Sequence, residues 1–69
     1  MKTYITFGQV HIHSVSGKTF DKDCVAAIPS ISEEEGRKKA FEYFGDKWHQ
    51  SYFDTQPNME YFPRGIIEV

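Results

Sequence analysis

The sequence predicts an α+β fold: a single antiparallel sheet of order ββαββ, with room for a fifth short strand, and one helix packed on one face. Three observations carry that expectation. Apolar residues alternate on both sides of a Ser-Gly turn, a capped helical stretch follows, and the last third holds short segments rich in aromatic and β-branched residues.

The first strand is expected over Thr3 to His13. Its apolar phase slips from odd (Ile5, Phe7) to even (Val10, Ile12), which one extra residue at Gly8-Gln9 would repair, so a β-bulge is placed there. Val15-Ser16-Gly17 reads as a three-residue hairpin loop closing on a left-handed glycine. That loop sets Ser14 opposite Lys18, His13 opposite Thr19, Ile12 opposite Phe20 and His11 opposite Asp21. Beyond the bulge, Phe7 meets Cys24 and Ile5 meets Ala26. One face then reads Ile5, Phe7, Val10, Ile12, Phe20, Cys24, Ala26 and Ile28, with Lys22 the one misfit.

Pro29 ends the second strand. Ser30 or Ser32 starts the helix, each followed three residues later by a glutamate, and Gly45 stops it after Phe44. Arg37, Ala40, Phe41 and Phe44 form the buried stripe, with Gly36 beside them where the helix backbone can approach the sheet. "KWHQSYF", "MEYF" and "GIIEV" read as three short strands separated by the turn formers of 54–58 and 63–65.

Sixty-nine residues make one small domain, 1–69, near the lower size limit for a core without staples. Hydrophobic residues at 39% and aromatics at 16% argue for order. Cys24 is alone, so no internal disulfide forms. With no leader and no bilayer-length apolar run, the reading is a cytoplasmic protein without membrane contact. The net charge of −2 gives no long-range pull toward nucleic acid.

Candidate chemistry starts with the His-x-His pair. On a strand, His11 and His13 project from one face about 7 Å apart, and Asp21 across the hairpin offers a third zinc ligand. The plainer reading, an exposed hairpin face with a His11–Asp21 pair, is preferred, and no cofactor is expected. "EEEGRKK" gives favourable i,i+4 pairs, the pattern of a solvated helix face. Tyr4, Trp48, Tyr52 and Tyr61 could stack bases on a sheet, but an RNA-recognition signature is missing. "SGKT" sits in a hairpin rather than before a helix, and no nucleophile with an orienting base is found, so catalysis is not expected.

The run "FGQVHIHSVSGKTFDKDCVAAI" together with "YFPRGIIEV" resembles short uncharacterised accessory proteins of tailed bacteriophages, over about half the chain. The resemblance implies a small protein that binds a host or phage protein, inhibitors of bacterial defence included. It carries over no functional residue. The expected function is therefore a binding module working through protein contacts in the host cytoplasm. Its expected surface is the sheet face left bare by the single helix, with Tyr4, His11, His13, Asp21, Trp48 and Tyr52 as partner-binding residues. A homodimer would cover that face in the absence of a partner. The alternatives are a nucleic-acid-binding accessory protein and a zinc-binding protein using His11, His13 and Asp21.

Overall fold

The computed structural model describes residues 1–69. Its strands are β1 (Lys2–Thr6), β2 (His13–Val15), β3 (Lys18–Phe20), β4 (Cys24–Pro29), β5 (Gln50–Phe53) and β6 (Gly65–Glu68), and its one α-helix is α1 (Glu33–Phe44). A four-stranded sheet has the order β5-β1-β4-β6, and β2-β3 form a separate two-stranded ribbon. The class is α+β as expected, but the sheet is mixed. β1 runs antiparallel to β4 and β5, whereas β6 runs parallel to β4. "MEYF" is no strand: Met59–Tyr61 is a single 3-10 turn capped by the Asn58 side chain, which accepts from Glu60 N at 3.1 Å.

Ile5 is opposite Ala26, as counted outward from the hairpin, although neither the three-residue loop nor the bulge used in that count forms. The continuous first strand is not found. β1 stops at Thr6, and a tight turn closed by His11 N–H donating to Gly8 O (3.0 Å) separates it from β2, so a turn absorbs the phase slip that a bulge was expected to take up. The hairpin register is also shifted by one. The loop is the two residues Ser16 and Gly17, both at positive φ (53° and 76°), as in a type I′ turn. His13 therefore sits opposite Phe20, Ser14 opposite Thr19 and Val15 opposite Lys18. A one-residue slip exchanges the faces of a strand. His13, expected outside, turns inward and Ile12 beside it outward, while Val10, also expected inside, is exposed because it lies in the turn after β1 rather than in a strand. Lys22 ceases to be a misfit because β3 ends at Phe20 and Lys22 stands exposed in the following turn.

α1 begins where Ser32 Oγ accepts from Glu35 N (3.1 Å) and ends at Gly45, whose N–H donates to Phe41 O at a φ of 64°. Glu35 reaches one residue further back than a capping box requires, accepting from Ile31 N at 3.0 Å. The face it buries is Gly36, Ala40 and Phe44; Arg37 and Phe41, expected in that stripe, are exposed. Gly36 is the point of closest approach, since a Cβ there would lie 1.8 Å from Thr3 Oγ1. Thr3 Oγ1 is itself bonded to Ser30 Oγ at 2.7 Å in a buried position.

Thr3 thus marks the helix side of the sheet, where Ile5, Phe7, Cys24, Ala26, Ile28, Ala40, Phe44 and Phe20 make one core. Phe44 holds its aromatic centre, with Phe7 edge-on at 4.9 Å and Phe20 at 5.4 Å. The opposite face was expected to be bare. It is not: Val25 and Ala27, which alternate with Ala26 on β4, are fully buried. Lys2 and Glu68 pair across β4 on that side. The chain from 54 to 64 must travel from the β5 edge to the β6 edge, and because β5 and β6 run the same way, a right-handed crossover takes it over the face opposite α1. Pro57, Met59 and Phe62 are half-buried along that path.

Candidate functional site: the groove between the helix and the β5 edge

Where the helix is drawn down onto β1 by Gly36, its other flank overhangs β5 and leaves a groove of about 600 Å³. Glu33, Arg37 and Phe41 supply one wall at helical spacing. Asp46, Trp48, His49, Gln50 and Ser51 supply the other. Trp48 is set by local structure. The chain turns back after Gly45, the indole N–H donates to Gly45 O at 3.0 Å, and the ring meets Phe41 at 5.2 Å in an edge contact. The Arg37 guanidinium carbon lies 5.9 Å from the indole centre, within the range of a cation–π contact. An aromatic ring fixed by its own hydrogen bond, with a guanidinium over it, is a ready anchor for a partner because little conformational freedom is left to lose.

The strand beside this groove is an edge. Tyr52 stands opposite Tyr4, and Asp54 N continues that register by donating to Lys2 O at 2.7 Å. In an antiparallel ladder the inward bonds fall on alternate residues. The peptide groups of Ser51 and Phe53 therefore point away from β1, and no side chain or loop bonds to them. The β6 edge is treated differently. Val69 N donates inward to Ala27 O, which turns the Glu68 peptide outward, and its carbonyl accepts from Lys18 Nζ at 2.7 Å.

The six residues expected to bind a partner do not share a face. Trp48 lines the groove. Tyr52 lies in β5 directly opposite Tyr4, both half-buried on the face away from α1, with Tyr52 OH 3.4 Å from Gln50 Oε1. His13 packs against Phe44 (5.2 Å) and Phe7 (5.9 Å), its Nε2 2.8 Å from Lys47 O, so it ties the hairpin to the turn after α1. The His11 ring lies over Gly8 and accepts from its N–H at 3.0 Å through Nδ1. Asp21 accepts from Asp23 N at 3.0 Å and pairs with Arg64 at 3.1 Å, bracing the turn before β4 to the entry of β6. Burial works against its charge, but the Asp23 N–H and the Arg64 guanidinium outweigh it and hold the carboxyl below the usual carboxylate range.

His11, His13 and Asp21 each have a separate partner, so the zinc triad weighed as an alternative is not assembled, and no three His, Cys, Asp or Glu side chains are grouped to hold a metal ion. Burial pushes the Cys24 thiol up, and its Sγ accepts from Asp21 N at 3.3 Å. No helix is long and apolar enough to cross a membrane. Arg37, Phe41, Ser51 and the edge of β5 were missed from the sequence. The signal available was Gly36-x3-Ala40-x3-Phe44, an i,i+4 line of rising side-chain volume that fixes the contact face and rotates Arg37 and Phe41 off it. The chain matches no family model, no curated protein and no solved structure.

Proposed function

We propose that this chain is a small protein-binding module that makes its contacts through the α1–β5 groove and the open edge of β5. The observation that carries the reading is Trp48, preset by Gly45 O and flanked by Phe41 and Arg37, immediately beside unpaired strand backbone. Aromatic and arginine side chains dominate interface energetics, and a free edge offers directional hydrogen bonds to an extended segment. The resemblance to phage accessory proteins favours a host or phage protein in the host cytoplasm as the natural partner. Nucleic acid is the weaker reading: Glu33 and Asp46 set two carboxylates against the one guanidinium of Arg37 in the groove, which opposes phosphate.

The test is a quantitative pull-down from nuclease-treated bacterial lysate at moderate salt. A protein retained by the native chain should be lost with Trp48→Ala and with Arg37→Glu, yet kept with Tyr61→Ala, a change at an exposed side chain outside the groove. Retention unaffected by either groove substitution would sink the reading.

A further inference from the structure

We infer that a second copy of this chain occupies the open edge of β5, pairing β5 with β5 antiparallel about a two-fold axis at Tyr52 and joining the two sheets into one. The inference rests on the reading of the α1–β5 side as a contact surface and names what occupies its edge when no foreign partner is bound.

The two edges of the sheet differ in a way that points to this side. At β6 the hairpin sends Lys18 onto the outward carbonyl of Glu68, and a lysine on an edge strand is a common device against edge pairing. At β5 the outward peptide groups of Ser51 and Phe53 carry no such guard. Those two residues flank Tyr52 symmetrically. An antiparallel copy centred on Tyr52 sets Ser51 opposite the partner subunit's Phe53, and Phe53 opposite the partner subunit's Ser51, so that the outward N–H and C=O groups of both satisfy one another.

The side chains agree with the same axis. An axis normal to the sheet keeps both helices on one face and makes them antiparallel. Glu33 and Arg37 stand one turn apart on the groove wall with opposite charge. Reversal of direction brings Glu33 toward the partner subunit's Arg37 and Arg37 toward the partner subunit's Glu33, a self-complementary arrangement. On the other face Tyr4 and Tyr52, already direct neighbours, meet the same pair of the second copy in one row of four tyrosines.

Three measurements test it. Light scattering during size exclusion should give a mass of twice 8.0 kDa at concentrations on the order of 10 µM. Ser51→Pro should return it to 8.0 kDa with an unchanged circular dichroism spectrum, because the proline removes an N–H that β1 does not use. The register is read by disulfide trapping, with native Cys24 buried and silent. Tyr52→Cys should cross-link to itself under mild oxidation, because directly opposed residues lie within about 4.5–5.5 Å. Ser51→Cys alone should not, but it should link to Phe53→Cys when the two variants are mixed. If Ser51→Pro fails to fold, the trapping pattern still decides.

A single mass of 8.0 kDa at every concentration, with pull-down of a foreign protein still dependent on Trp48, would overturn the inference and leave the binding reading standing. A dimer indifferent to Ser51→Pro and trapped equally well from any position would overturn the inference alone, whereas a pull-down unaffected by the groove substitutions would overturn the binding reading as well.

Discussion

The two flanks of α1 treat the same sheet in opposite ways. On one, Gly36, Ala40 and Phe44 lie flat on β1 and β4 with no room for a single added carbon at Gly36. On the other, Glu33, Arg37 and Phe41 stand off β5 and leave the groove. The side chains that touch the sheet grow from hydrogen to methyl to benzyl along the helix, so the contact line is fixed by side-chain volume rather than by apolar character alone. What looks like one amphipathic stripe is therefore two surfaces, one sealed and one open. A small domain can gain a recognition surface in this way without giving up its core.

The contrast breaks most plainly at Gly36. Gly36→Ala would normally favour a helix by about 1 kcal/mol. Here the new Cβ would also lie 2.5 Å from Thr3 Cβ, so the helix must lift or the sheet must bend. A loss of about 2–4 kcal/mol is expected, a large part of a total on the order of 5 kcal/mol for a chain this short. Adding Thr3→Ala should restore only part of it, since the Cβ overlap remains. Urea denaturation measures both, and wild-type stability in Gly36→Ala would show that the two faces are not locked.

Phe44 and Phe41 make a paired comparison three residues apart. Phe44→Ala empties the aromatic centre shared with Phe7 and Phe20 and should cost about 3–5 kcal/mol, enough to unfold much of the population. Phe41→Ala removes a ring that is 49% exposed and should cost about 1 kcal/mol or less while changing the fluorescence of Trp48. Equal losses would erase the distinction between the flanks.

Acid should act away from the groove, at the corner before β4. Because the Asp21 carboxyl is held below its ordinary range in the folded chain, its contribution is complete at neutral pH and is lost as pH falls from the ordinary carboxylate range through the folded value. Glu35, lowered first by the N–H of Ile31, acts in the same direction at the start of α1. Asp21→Asn should flatten part of the decline in melting temperature below about pH 4. At neutral pH it should cost about 0.5–1 kcal/mol, a small value because Asp21 and Arg64 are both about a third exposed. A decline of undiminished slope would remove Asp21 as its cause.

The smallest effect is expected in the groove itself. Arg37→Ala gives up an exposed cation–π contact at the outer limit of its range, worth about 0.5 kcal/mol or less, and should lower the melting temperature by about 2–4 °C at most, while exposing the Trp48 ring to quenching by acrylamide. A large drop in melting temperature would place Arg37 among the core supports.

The parts of this fold that depend on near neighbours are legible in the sequence. A serine cap, left open between Ser30 and Ser32, and Gly45 bound the helix because caps are local chemistry, and Gly36 marks the close approach because no other side chain is so small. Ile5 does meet Ala26, but only because the extra residue expected in the bulge and the extra residue expected in the hairpin loop together match the shift made by the turn after β1. Legibility ends where one residue or one direction decides. Ser16 enters the left-handed region beside Gly17, which shortens the loop to two residues and turns His13 inward. The run of β6 parallel to β4 follows from the path of residues 54–64, which no periodicity encodes. The site suffered most. It depends on which flank of α1 touches the sheet, and Arg37 and Phe41 fit the spacing of an apolar stripe well enough to hide the real one.

The single thiol of Cys24 can serve as a clock. It is fully buried at the start of β4, bonded to the N–H of Asp21 and disfavoured as a thiolate by its surroundings. A disulfide reagent can reach it only after the corner between β3 and β4 has come apart, so under excess reagent the labelling half-time reports how often that corner opens. Addition of whatever occupies the distant α1–β5 edge should leave that half-time unchanged if the corner opens by itself, and should lengthen it if opening requires the whole sheet to part.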